Sequence, residues 1–185
     1  MENYKLYQSS IINSNHPQFL TECDLTFQQI SQSINSTNTT WNYNKYNIFN
    51  ITSSSLLFYK LFQELNHIIR DYLGNNNPVW IQSWLNYHKE KMVPNILPMH
   101  SHKEKYHGYI SINPQSTTTL FKNGVEIDNK IGQIYIGPGR NGGDDTSWDH
   151  YVRVNESYEG SRITIGFDIS CRYNAKLYPS FIPLL

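Results

Sequence analysis

Histidines and an arginine stand at spacings that suit a metal site joined to a grip for an acid. His100 and His102 are separated by a single serine. On a strand, residues i and i+2 point to the same face, so both imidazoles can reach one ion. His150 follows downstream within Trp148-Asp149-His150-Tyr151-Val152. Neutral imidazole is the commonest side-chain metal ligand. Beyond it, Arg162 opens the alternating run Arg162-Ile163-Thr164-Ile165-Gly166-Phe167. A guanidinium presents a rigid fork of donors that matches a carboxylate. A histidine on one strand and an arginine on the next, facing one cavity, hold a metal and an acid that chelates it.

With His100, His102 and His150 on one face of an ion, the remaining positions stay open. Non-haem Fe(II) chemistry needs that arrangement, usually from two histidines and a carboxylate. His107, at the start of the next strand, is a candidate for a supporting or surface role. His67 lies inside a helix and reads as a partly exposed or hydrogen-bonded histidine, not a ligand. His16 and His88 have no supporting context.

Positioning these groups requires strands, and the pattern supplies them late in the chain. A short strand at Tyr4–Ser9 and a polar link lead to a helix over Asp24–Ile34, with Leu25, Phe27, Ile30 and Ile34 at helical spacing. Ser33–Asn50 reads as a loop or short strands. Leu57, Phe58, Leu61, Phe62, Leu65, Ile68, Ile69 and Tyr72 predict a helix over Ser54–Leu73, capped within Ser53–Ser55 and stopped by Gly74. After Pro78 the period changes to two: Val79–Tyr87 alternates as a strand. A loop is expected over Lys89–Pro98. Strands then follow at Tyr109–Ile112, Thr118–Phe121, Ile131–Ile136, His150–Val154 and Arg162–Ile169, split by turn residues. Helices first and turn-linked strands afterwards favour a mainly β jelly roll with packed N-terminal helices. One domain is expected over 1–185: a helical support region at 1–78, a jelly-roll core at 79–170 and a C-terminal tail at 171–185.

Composition narrows the function classes. The chain has 185 residues, 38% of them hydrophobic, with 14 Tyr, 8 Phe and 4 Trp to build a core. A net charge of +0 gives no footprint for nucleic acid or an acidic membrane. Cys23 and Cys171 have no paired spacing, and no secretory leader is apparent, so a reducing, cytoplasmic location is expected. No apolar stretch approaches the roughly 20 residues of a membrane span. Gly137-Pro138-Gly139-Arg140-Asn141-Gly142 spells a dinucleotide-like G-x-G-x-x-G, but no helix follows it. A loop overhanging the site mouth is the expected role. A cupin would want its glutamate further from the H-x-H than Glu104, and would have no use for Arg162.

From about Trp80 to Ile169 the sequence resembles the 2-oxoglutarate/Fe(II)-dependent oxygenase superfamily. The likeness rests on Trp84-Leu85-Asn86, His100-Ser101-His102 and His107-Gly108-Tyr109-Ile110-Ser111-Ile112-Asn113-Pro114. It continues through Gly132-Gln133-Ile134-Tyr135-Ile136, Trp148-x-His150-x-Val152 and Arg162-Ile163-Thr164-Ile165-Gly166-Phe167-Asp168. The resemblance implies a double-stranded β-helix in which His100 and His150 bind Fe(II). It implies that Arg162, helped by the Thr164 hydroxyl, grips the distal carboxylate of 2-oxoglutarate. Most of the superfamily has H-x-D where this chain has H-x-H. His102 is taken as the third ligand, with Asp149, Asp145 and Asp144 as alternatives. A histidine there argues against the halogenating members, whose Gly or Ala leaves room for chloride. The implied reaction is hydroxylation of a C–H bond with release of succinate and CO2. Trp80, Trp84, Tyr135 and Trp148 are candidate pocket walls. The substrate is expected to be a small molecule or peptide, its identity and the oligomeric state left open. The competing reading is a non-catalytic cupin-like or carbohydrate-binding jelly-roll module.

Overall fold

Ser55 and Gly74 bracket the clearest helix of the chain. The Ser55 hydroxyl accepts from the Phe58 amide, and Gly74 ends the helix in the left-handed region at φ 65°. The computed structural model describes residues 4–34, 45–88, 98–172 and 180–184. Its elements run β1 (Lys5–Gln8), α1 (Ser10–Ile34), α2 (Ile48–Ile51), α3 (Leu56–Leu73), β2 (Val79–His88), β3 (Tyr106–Asn113) and β4 (Thr117–Phe121). They continue with β5 (Glu126–Asp128), β6 (Gln133–Pro138), β7 (His150–Val154), β8 (Arg162–Ser170) and β9 (Ile182–Leu184).

Three expectations need correction. The polar link after β1 is helical, because α1 starts at Ser10 and kinks at Asn15, just before Pro17. Ser9 accepts from the Ile12 amide at 3.1 Å, starting the first turn. Ile12, Phe19, Cys23, Phe27 and Ile30 then bury one stripe that the polar composition hides. Part of Ser33–Asn50, expected to be loop or strand, forms α2, whose Asn47 cap accepts from the Phe49 amide. The tail contains β9, which pairs with β2. Residues 35–44 of that first loop, and all of the Lys89–Pro98 loop but Pro98, lie outside the described residues.

The strands form a six-stranded sheet, ordered β1-β6-β3-β8-β2-β9, and a three-stranded sheet, ordered β5-β4-β7, with every pairing antiparallel. Together with the helices they make a double-stranded β-helix. Strand β8 lies between β3 and β2 and is buried throughout. Its alternation sorts the molecule. Ile163, Ile165, Phe167 and Ile169 join the core shared with Phe19, Phe58, Leu61 and Leu65 of the helices. Arg162, Thr164, Gly166 and Asp168 therefore point the other way. A smaller cluster of Phe121, Ile127 and Tyr135 fills the space between β4, β5 and β6.

Two glycines keep these layers closed. A Cβ on Gly108 would lie 2.2 Å from the Tyr135 carbonyl oxygen and 2.3 Å from the Phe167 ring. One on Gly166 would meet the Trp84 indole at 2.6 Å. Overpacking of this kind costs about 1–3 kcal/mol, and more where backbone must move. Gly108→Ala is expected to lower the thermal midpoint further than Gly166→Ala in unfolding scans, because only the former collides with a paired strand's backbone.

Candidate metal centre

The site begins with a backbone contact. His100 and His150 form an antiparallel bridge, with amide-to-carbonyl bonds of 2.9 and 3.1 Å in the two directions. Directly opposed residues in such a pair carry their side chains on one face. Their ring centroids are 4.3 Å apart. His102 comes to within 5.4 Å of His100 and 5.3 Å of His150, again between centroids. One ring nitrogen from each of the three lies within 4.8 Å of those from the others.

Each Nδ1 faces an acceptor: the Pro98 carbonyl at 3.2 Å for His100, Asp168 Oδ1 at 2.6 Å for His102, and the Trp148 carbonyl at a long 3.4 Å for His150. Acceptors there place the hydrogen on Nδ1 and the ring's lone pair on Nε2, the usual preparation of a metal-binding imidazole. Burial lowers the proton affinity of His100 and His150, reinforced by the neighbouring histidines, so both rings are held neutral. The donor set therefore fits a divalent transition metal.

The alternative carboxylates lie elsewhere. Asp149 is opposite in strand sense to His150, and Arg140 grips it through Nε at 2.9 Å and Nη2 at 2.5 Å, with Lys122 at 3.3 Å. Arg140 chiefly holds its carboxyl below the usual range. Asp144 and Asp145 are exposed, and Asp145 accepts from the Ser147 amide. Among the described residues, only the three histidines form a metal-sized cluster.

The G-x-G-x-x-G segment braces this site. The amides of Gly139, Arg140, Asn141 and Gly142 donate to the carbonyls of Lys105, His102, Glu104 and Lys103. A Cβ on Gly139 would sit 2.3 Å from the Glu104 oxygen. Backbone bonds to the H-x-H segment and the Arg140–Asp149 ion pair beside His150 thus tie the two ligand segments together.

Arg162 is 5% exposed, yet among the described residues no carboxylate pairs with it, and its Nε has no partner. Burial pushes its proton affinity down, opposed by the nearby Tyr158 and Tyr109. Thr164 Oγ1 accepts from Asn86 Nδ2 at 3.2 Å. Asn86 Oδ1, Ser111 Oγ and the Tyr158 hydroxyl are also buried without partners among the described residues. Asn86 and Ser111 flank Thr164 in the sheet. A buried cation among unsatisfied polar groups is costly unless an anion joins it.

Sequence reasoning missed one participant, Asp168, and left His107 between a supporting and a surface role. His107 is 1% exposed and stacks on His102 at 4.3 Å and on His150 at 5.0 Å. Asp168 holds His102, and its signal was its even position in the alternating run begun by Arg162. Of the candidate wall residues, Trp84 stacks on His102 at 5.8 Å and Tyr135 lies 5.4 Å from His107. Trp148 packs on Phe121, while Trp80 sits by β9 opposite Pro183.

The buried histidines set a pH dependence. Burial, and then the Arg162 charge, lowers His88 to about 4, and burial chiefly lowers His100, His107 and His150. Unfolded histidine titrates near 6.5, so below that pH the unfolded chain binds protons that the fold refuses. Stability is full above about pH 6.5 and is lost as pH falls toward the folded values. Metal-free protein should show a lower melting temperature at pH 5 than at pH 7, and His88→Gln should make the drop smaller.

No family model and no curated protein matches the sequence. Solved structures do. The viral collagen prolyl hydroxylase of Paramecium bursaria Chlorella virus-1, in its 2-oxoglutarate complex, superposes with a TM-score of 0.58 at 11% identity, covering 91% of this chain and 95% of that one. A prolyl-4-hydroxylase from Pseudomonas putida gives 0.52 at 8%, with 94% and 90% covered. The non-haem α-ketoglutarate-dependent epimerase SnoN of nogalamycin biosynthesis gives 0.54 at 7%, with 91% and 76% covered. At such identities the likeness is one of fold: the chain is built on the double-stranded β-helix of the 2-oxoglutarate/Fe(II)-dependent oxygenases.

Proposed function

We propose that the protein is a 2-oxoglutarate- and Fe(II)-dependent dioxygenase that hydroxylates a small molecule or peptide, releasing succinate and CO2. The observation that carries this reading is the buried Arg162, without a carboxylate partner among the described residues, on the strand face that leads to the His100, His102 and His150 cluster. A metal-binding module alone has no use for such a guanidinium, which favours the enzyme over a cupin-like or carbohydrate-binding domain.

His100, His102 and His150 would hold Fe(II) through their Nε2 atoms. The ion supplies dioxygen activation and oxidising power that side chains lack. Arg162 binds the distal carboxylate of 2-oxoglutarate by charge-assisted hydrogen bonds, and Thr164 adds a hydroxyl two residues along the same face. Trp84, Phe121 and Tyr135 exclude water from the histidines, which strengthens every charge interaction inside. A neutral chain with no helix, among the described residues, long and apolar enough to cross a membrane is consistent with a cytoplasmic enzyme acting on something other than nucleic acid.

Anaerobic addition of Fe(II) and 2-oxoglutarate is expected to produce a weak visible charge-transfer band that His150→Ala abolishes. A band that survives that substitution, or never forms, rules the reading out. Arg162→Ala should weaken 2-oxoglutarate binding by roughly 10–100-fold, the worth of one or two charge-assisted bonds, while sparing Fe(II) affinity in titrations.

A further inference from the structure

The triad carries no negative charge, whereas an Fe(II) site of this geometry usually contains one carboxylate. The missing charge lies one bond further out. Asp168 Oδ1 accepts from His102 Nδ1 at 2.6 Å, with the two side chains 11% and 8% exposed. Among the described residues His102 is the one ion-pairing partner of Asp168, since Arg140 and Lys122 are both taken by Asp149. The His102 ring also lies nearly parallel to Trp84, at 5.8 Å and 16°, and to His107, at 4.3 Å and 7°. A ring bonded at Nδ1 and confined by stacked neighbours has its Nε2 direction constrained.

We propose that Asp168 is the carboxylate of this metal site, moved from position 102 to the outer side of His102. It keeps the imidazole in the Nδ1–H form, aims Nε2 at the ion and supplies the compensating negative charge. This rests on reading His100, His102 and His150 as the Fe(II) ligands. Asp168 is a positioning residue, since it reaches the ion only through His102. A merely structural ion pair would affect folding and leave metal affinity alone. Loss of such an outer carboxylate typically lowers metal affinity by about 10–100-fold.

The test is anaerobic Fe(II) affinity by competition with a chromophoric chelator, alongside thermal unfolding of the metal-free proteins. Asp168→Ala should weaken Fe(II) binding by roughly 10–100-fold. Asp168→Asn should fall between it and wild type, because its amide oxygen still accepts the Nδ1 hydrogen but brings no charge. In a His102→Ala background, either change should alter affinity by less than about 2-fold, because the residue through which Asp168 acts is gone. Wild-type affinity in both Asp168 variants overturns the proposal, as does an equal loss with and without His102. Should Asp168→Ala fail to fold, the near-isosteric Asp168→Asn carries the comparison in both backgrounds. If wild-type protein binds no Fe(II), the metal reading itself falls, an outcome distinct from normal binding that ignores Asp168.

Discussion

The structure depends on one strand that is buried on both faces. Strand β8 has hydrogen-bonded neighbours on both edges, and every one of its residues is shielded from water. Period-two alternation then forces a division: one face meets the helices, the other the interior of the β-helix. Ile163, Ile165, Phe167 and Ile169 take the first, and Arg162, Thr164, Gly166 and Asp168 the second. A one-residue slip would put the arginine and aspartate into the helix-facing core, so the register is strongly specified. The energetics of the fold and the chemistry of the site thus share one constraint.

That interior face is polar where a stable core would be apolar. Arg162 Nε, Asn86 Oδ1 and Ser111 Oγ are all buried without partners among the described residues, each at a cost of about 1–3 kcal/mol. The helix layer on the other side of the sheet offsets this with a continuous apolar core from Ile12 through Phe58 to Ile169. Asn86 and Ser111 both flank Thr164 in the sheet, two residues from Arg162, so these three unsatisfied groups share one neighbourhood.

Charge is handled by a similar separation. Asp149 and Asp168 both come within a short reach of the histidine cluster, yet neither belongs to it. Asp149 is neutralised by Arg140 and Lys122 and serves to tether the Gly139–Gly142 turn. Asp168 meets the cluster only through the His102 ring. His100 and His150, held neutral by burial, need no counter-charge until an ion arrives, which lets the protein fold without the repulsion of clustered carboxylates.

Much of this was legible in the sequence because it depends on local period. Alternation after Pro78, the i, i+3, i+4 stripe of α3 and its Ser55 and Gly74 ends are one-dimensional signals, and so is the i, i+2 pairing of His100 with His102. The start of α1 was not legible, because Ile12 and Phe19 are two apolar anchors in a polar stretch whose worth appears only when the sheet covers them. Nor was β9, too short to show a period. Asp168 looked like an ordinary strand residue, and His107 stood between a supporting and a surface role; cross-strand register alone bonds the first to His102 and stacks the second on it. The sequence by itself determined which residue types face inward and in what order, since side-chain direction follows from backbone period. Only the tertiary structure decided which of them meet, because the reciprocal bonds of His100 with His150 and the pairing of β8 with β2 and β3 are long-range choices no local pattern encodes.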